Sequence, residues 1–223
     1  MRIVGNPGCP RVAGFQAALT RSGRPPAALV PWLDVIAGRA SPDPSALVRL
    51  ESPGREWDVE KALIAEGADA AEDGSSRIAR SDALALEFDK GRLWFPRQWF
   101  LGFRAVLRRL SHALGAGLRP RPGRDRRSPL PEAEHQGRPS VQHGAGSETR
   151  AQRLPHFLNP PADVETLFDK EACQERFAAG VPIPRGLGRV RSFDELRERM
   201  REQRCPAAFV KLWHGSSASG VVA

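Results

Sequence analysis

The chain has 223 residues, 40% of them hydrophobic, with five Trp and ten Phe; this supports one or two cored domains and excludes a wholly disordered protein. Its formal charge of +8 comes from 30 Arg and only 4 Lys, a skew that reads as biased coding composition, and no zinc-finger spacing, aromatic RNP motif or basic heptad points to nucleic acid. Three widely spaced cysteines (Cys9, Cys173, Cys205) argue against a disulfide framework or zinc site, and no apolar run nears the roughly 18 residues of a membrane span, so a reduced, cytoplasmic location is expected.

In chain order, residues 1–24 read as a strand over 2–4, a Gly/Pro loop over 5–10, and a helix. Val12, Phe15, Ala18 and Leu19 share the apolar face of that helix. The loop GNPGCPR could place an anion at the helix N-terminus, but it lacks the G-x-G-x-x-G pattern and reads rather as a tight connection. Apolar runs follow at 27–36 and 46–50, separated by the breaker-rich ASPDPS, and ALVRL alternates like a strand. The next segment, 51–68, reads as a loop into a helix marked by Trp57 and Ile64, with Glu60 and Lys61 on a solvated face. This β–α alternation predicts an α/β fold with a parallel sheet covered by helices.

After Pro96 comes the most amphipathic helix. Trp99, Phe100, Phe103, Val106, Leu107, Leu110 and Leu114 recur at helical spacing while Arg104, Arg108 and Arg109 fall elsewhere. An aromatic stripe beside arginines invites an RNA reading, but at this spacing it reads as core. Residues 115–153 change character: eight Arg, five Pro and six Gly, with Leu118, Leu130 and Val141 the only large aliphatics, predict a disordered linker or insertion. Structure resumes at 154 with a Pro-Pro helix start and Val164, Leu167 and Phe168 on one side. Asp169 then caps a helix that runs to Gly180, and Ser192 and Glu195 stand in capping-box spacing before another.

The last fifteen residues, FVKLWHGSSASGVVA, read as a strand bearing Lys211, a loop of small residues, and a second strand. Such a loop keeps side chains away from its backbone, so consecutive N–H groups can converge on an anion. A Walker loop needs its lysine after the glycines at a helix start, and a Rossmann loop needs glycines at fixed offsets before a helix; both fail here. Together with FDKEACQERFAAGVPIPRG, however, this stretch resembles the ATP-grasp superfamily, most closely over 155–223 and more loosely over the first 110 residues.

That resemblance implies a pre-ATP-grasp-like parallel β–α domain over 1–114, the 115–153 linker, and an incomplete ATP-grasp domain (α+β) over 154–223. It implies that Lys170 and Lys211 contact ATP phosphates, with His214, Gly215, Ser216, Ser217, Ser219 and Gly220 lining the loop over them. Two of the four lysines of an arginine-dominated chain fall at these positions, where a compact ammonium is not interchangeable with a guanidinium. The later part of such a domain holds the adenine pocket and the Mg²⁺ ligands, and the chain ends at Ala223. The expectation is therefore the ATP-binding portion of a carboxylate–amine or carboxylate–thiol ligase, inactive alone, whose complete form takes a small-molecule carboxylate through an acyl-phosphate. A non-catalytic binding or structural remnant of the fold is the alternative.

Overall fold

A computed structural model of the chain describes residues 1–70, 77–114 and 157–215. Strand β1 (Arg2–Gly5) lies between β2 (Ala28–Pro31) and β3 (Val48–Leu50), and both run parallel to it. Arg2 stands opposite Ala28 on one side and Val48 on the other. Side chains alternate across the sheet. Ile3 meets Val12, Phe15 and Leu19 of helix α1 (Pro10–Arg21) on one face. Val4, Val30, Val48 and Leu50 enter the main core on the other. Helices on both faces explain why these short strands are almost uninterruptedly apolar.

The apolar run at 27–36 divides at Pro31, which ends β2, and continues as the short helix α2 (Trp32–Ile36). Trp32 is fully buried and donates its indole N–H to the Glu51 carbonyl at 3.0 Å, which fixes the chain just beyond β3. Helix α3 (Trp57–Glu66) follows, then α4 (Arg80–Leu84), a helix that the sequence pattern does not announce. The long helix α5 (Pro96–Ala113) buries the expected stripe, from Trp99 to Leu110, and Leu114 just beyond its end is buried with it. It crosses α3 at two glycines. A Cβ on Gly102 would lie 1.9 Å from the Leu63 carbonyl oxygen, and one on Gly67 the same distance from that of Gln98. Only glycine lets the two backbones approach so closely.

Phe157, Val164 and Phe168 join the same core, the last two from helix α6 (Pro161–Phe168). Phe168 packs on Trp99 and Phe103 with ring centroids at 5.9 and 4.9 Å. Leu158 donates its N–H to the Val48 carbonyl at 2.8 Å, and the Asn159 amide bonds both backbone groups of Leu50, at 2.9 and 2.6 Å. Two further helices complete the described chain, α7 (Lys170–Ala178) and α8 (Phe193–Glu202). The expected cap forms at α8 with a shifted partner: Ser192 accepts from the Glu195 N–H, and the Glu195 carboxylate accepts from the N–H of Arg191, one residue before the cap.

One expectation is overturned. Residues 207–215 form no strand; Val210 and His214 are isolated bridge positions, and Phe209 is 75% exposed. A strand needs a neighbour for its N–H and C=O groups, and the described sheet lies elsewhere. The 115–153 stretch lies outside the described residues. Among those residues no helix is long and apolar enough to cross a membrane.

Candidate functional site

The site is built around a break between two helices. Asp169 leaves α6 with extended dihedrals (φ −93°, ψ 110°), and its short carboxylate accepts the N–H groups of Glu171 and Ala172, both at 3.1 Å. This caps α7 and makes Lys170 the first helical residue. The extended residue also frees a stretch of backbone for pairing. Lys170 donates its N–H to the Trp213 carbonyl at 2.9 Å, and Gly215 donates to the Phe168 carbonyl at 3.1 Å, on either side of the Asp169–His214 bridge.

Side chains lock the pairing. Trp213 donates its indole N–H to Asp169 Oδ1 at 3.0 Å. His214, only 4% exposed, stacks between Phe100 and Trp213 at 4.3 and 4.8 Å, and its Nε2 lies 2.6 Å from the Arg97 guanidinium. A guanidinium only donates, so Nε2 is the acceptor in that contact; Nε2 also lies 3.7 Å from Asp169 Oδ2. Burial alone would raise the Asp169 carboxyl, but the Ala172 N–H, the Trp213 indole, the neighbouring His214 and the Glu171 N–H outweigh it and hold the group below the usual carboxylate range.

The outcome is one cavity of about 300 Å³ that Lys170, Lys211, His214 and Gly215 line together. Ser216, Ser217, Ser219 and Gly220 lie outside the described residues. Lys170 donates its ammonium to the Leu167 carbonyl at 3.2 Å. Burial, and then the Lys211 ammonium, pull Lys170 below the ordinary lysine value. Two roles differ from expectation. His214 is a buried, stacked clasp as well as a wall, and the Gly215 N–H is spent on Phe168. Gly215, at φ +135°, therefore contributes space at the wall and no donor.

The opposite wall comes from the carboxyl edge of the sheet. β1 connects to β2 on one side, while β3 lies on its other side, so the connection reverses between β1 and β3. The crevice beyond such a reversal is where open parallel sheets hold ligands. Asn6 spans it by donating to the Pro53 carbonyl at 2.7 Å. Arg11 of α1 and Ser52, Gly54 and Arg55 after β3 face the cavity, followed by Trp57 and Glu60 of α3. Phe88, Arg92 and Trp94 precede α5, which adds Trp99.

Five cationic side chains thus face a single carboxylate, Glu60, and three of the chain's five tryptophans are in the wall. Glu60 is half-buried and accepts the Arg55 N–H at 3.3 Å, so its assignment to a solvated face is corrected: it faces the cavity beside the Gly54–Arg55 backbone. Burial raises its carboxyl above the usual range, and the bond from the Arg55 N–H and the nearness of the Trp99 indole do not cancel that.

Backbone strain collects here too. Of the three non-glycine residues with positive φ among the described residues, Arg55 (φ 84°) lines the cavity and Phe95 (φ 41°) lies between its lining residues Trp94 and Pro96. Such conformations persist only where the surrounding structure imposes them.

Sequence reasoning found the lysine wall and missed the sheet-edge wall. Arg11 carried the one available signal, its place in the Gly/Pro loop at a helix start. Trp57, Trp94 and Trp99 gave none, because cavity tryptophans and core tryptophans share the same spacing. No protein-family model, curated protein or solved structure matches the chain.

Proposed function

We propose that this cavity grips the phosphates of ATP and that the chain is the ATP-binding portion of an ATP-grasp carboxylate–amine or carboxylate–thiol ligase. In this reading the three-stranded sheet and its helices are the pre-ATP-grasp-like unit, and 157–215 belong to the incomplete grasp. One observation carries it: Lys170 and Lys211, chosen from sequence motifs alone, line one cavity, joined by the pairing of 168–170 with 213–215.

The residues fit the phosphate end of the nucleotide. Two ammonium groups, one of them partly desolvated, face a shared space, and only an anion between them relieves their repulsion. Gly215 keeps side chains out of that space. In the reaction that the resemblance implies, a carboxylate oxygen bonds the γ-phosphorus as the bond to the β-phosphate oxygen breaks, ADP leaves, and an amine or thiol then displaces phosphate from the acyl-phosphate. Lys170 and Lys211 would offset the charge of the transferring group. Among the described residues no group of three or more His, Cys, Asp or Glu could hold a metal ion, so the magnesium of the resemblance has no donor set there and enters no step.

Isothermal titration of the full chain with ATP and with inorganic tripolyphosphate tests the reading. Removing one charge-assisted contact corresponds to about 10- to 100-fold in affinity, so Lys170→Ala and Lys211→Ala should each weaken both ligands to that extent. Wild-type-like binding by either variant, or no binding of either ligand by the wild type, rejects it.

A further inference from the structure

The lysine wall accounts for one side of the cavity only. On the other side Trp57 packs edge-on to Phe88 at 5.8 Å, and the Arg92 guanidinium lies 3.7 Å over the ring of Trp94. Trp99 is 8% exposed, and its indole N–H is buried without a hydrogen-bond partner, near Glu60 but short of bonding geometry; the Trp94 N–H is likewise unmatched. A buried donor without an acceptor is unfavourable, and a ligand that brings the acceptor removes the deficit. The same wall carries Arg11, Arg55 and Arg92. Arg55 is held at a strained φ of 84° and has no ion pair among the described residues.

The geometry points to a second ligand for this cavity: an aromatic acid, its ring against Trp57, Trp94 and Trp99, its carboxylate facing Arg55 and Arg11, and a ring-borne acceptor meeting the Trp99 N–H. Each part of that chemistry answers a feature of the wall. Flat aromatic walls favour a ring over an aliphatic body of similar size. Three guanidinium groups favour an acid over a neutral ring, and planar guanidinium suits carboxylate in particular. Arg11 already pairs with Glu51 at 3.6 Å and Arg92 with Asp89 at 3.9 Å, so a neutral purine would leave the Arg55 charge unanswered. As a substrate assignment this rests on the ligase reading, naming the class of carboxylate to be activated; as a binding assignment it rests on the tryptophan wall alone.

The five tryptophans make the test direct. The full chain is labelled with 5-fluorotryptophan, its ¹⁹F resonances are assigned by single Trp→Phe variants, and it is titrated with indole-3-acetate, cyclohexylacetate and adenosine. Indole-3-acetate should shift Trp57, Trp94 and Trp99 and leave Trp32, fully buried beneath the sheet, unmoved. It should bind roughly tenfold more tightly than cyclohexylacetate. Trp99→Phe should weaken it about 3- to 10-fold and Arg55→Gln at least about tenfold. The Arg55 side chain is exposed, so that variant does not depend on the core surviving.

Equal affinity for the two acetates, unmoved cavity resonances, or wild-type affinity in Arg55→Gln overturns the proposal. So does adenosine displacing indole-3-acetate from the three tryptophans, since the wall would then serve a nucleobase. Loss of ATP binding in the lysine variants with indole-3-acetate binding retained supports both assignments; absence of ATP binding in the wild type, with the three tryptophans still responding, removes the ligase reading and leaves this one standing.

Discussion

Trp213 donates its indole N–H to Oδ1 of Asp169 at 3.0 Å; Asp169 adjoins Lys170, and Trp213 stands two residues after Lys211. The bond therefore joins the two segments that carry Lys170 and Lys211 although neither lysine takes part in it. Asp169 also caps α7, so one carboxylate holds three donors. Asp169→Ala should cost about 1–3 kcal/mol, the sum of a lost cap and an orphaned indole, and weaken tripolyphosphate binding although no charge in the wall has changed. Because the folded carboxyl lies below its ordinary value of 3.8, this stabilisation is complete above that pH and disappears as pH falls through the folded value. Urea denaturation of wild type and Asp169→Asn across this range should show the difference shrinking toward zero in acid.

Glu60 runs the other way. Its folded carboxyl is raised above the ordinary 4.5, so the unfolded chain releases the proton first and stability falls as pH rises from 4.5 through the folded value. Glu60→Gln keeps the acceptor for the Arg55 N–H and removes the buried charge. The variant should melt at a higher temperature than wild type at pH 7 and lose that advantage below 4.5, which a pH series of thermal melts would show.

The lysine pair predicts proton uptake. Lys170 lies below the ordinary 10.5 because of burial first and Lys211 among the charges around it. An anion between them favours the ammonium, so binding of tripolyphosphate at alkaline pH below 10.5 should draw protons from the buffer. Calorimetry in buffers of different ionisation enthalpy measures this directly. Lys211→Ala should reduce the uptake, because Lys170 is then less depressed before binding.

Two glycines give opposite outcomes for the same substitution. Gly102→Ala puts a Cβ against the Leu63 carbonyl at 1.9 Å and must force α3 and α5 apart, at a cost of about 3 kcal/mol or more. Gly14 in α1 has nothing within 4 Å of a built Cβ, so Gly14→Ala should stabilise by about 0.5–1 kcal/mol through helix propensity. Chemical denaturation of the two variants separates the effects.

The parallel sheet, the α5 stripe and the caps at Asp169 and Ser192 were legible because each is a local pattern: short apolar runs, 3.6-residue spacing, a carboxylate or hydroxyl before a helix. The lysine wall was legible because a motif marked it. Over 207–215 the expected strand is reduced to single bridge positions at Val210 and His214, because the described backbone pairs there one residue at a time. Arg55 and Trp94 reach the cavity through loop geometry, and Trp57 and Glu60 through the placement of the first turn of α3 against those loops. Neither leaves a period in the sequence. Nor does the α3–α5 crossing, where Gly67 and Gly102 look like two weak points in helices until the distance between backbones is known.

The side chain of Asn159 gives β3 an unusual outer neighbour. By taking both the N–H and the C=O of Leu50, it completes the strand's hydrogen bonding without presenting a fresh ladder of its own. A bare parallel edge is a template on which another chain can add. Here the Phe157 bridge to Val48 and the Asn159 amide together close the β3 edge against the addition of another chain.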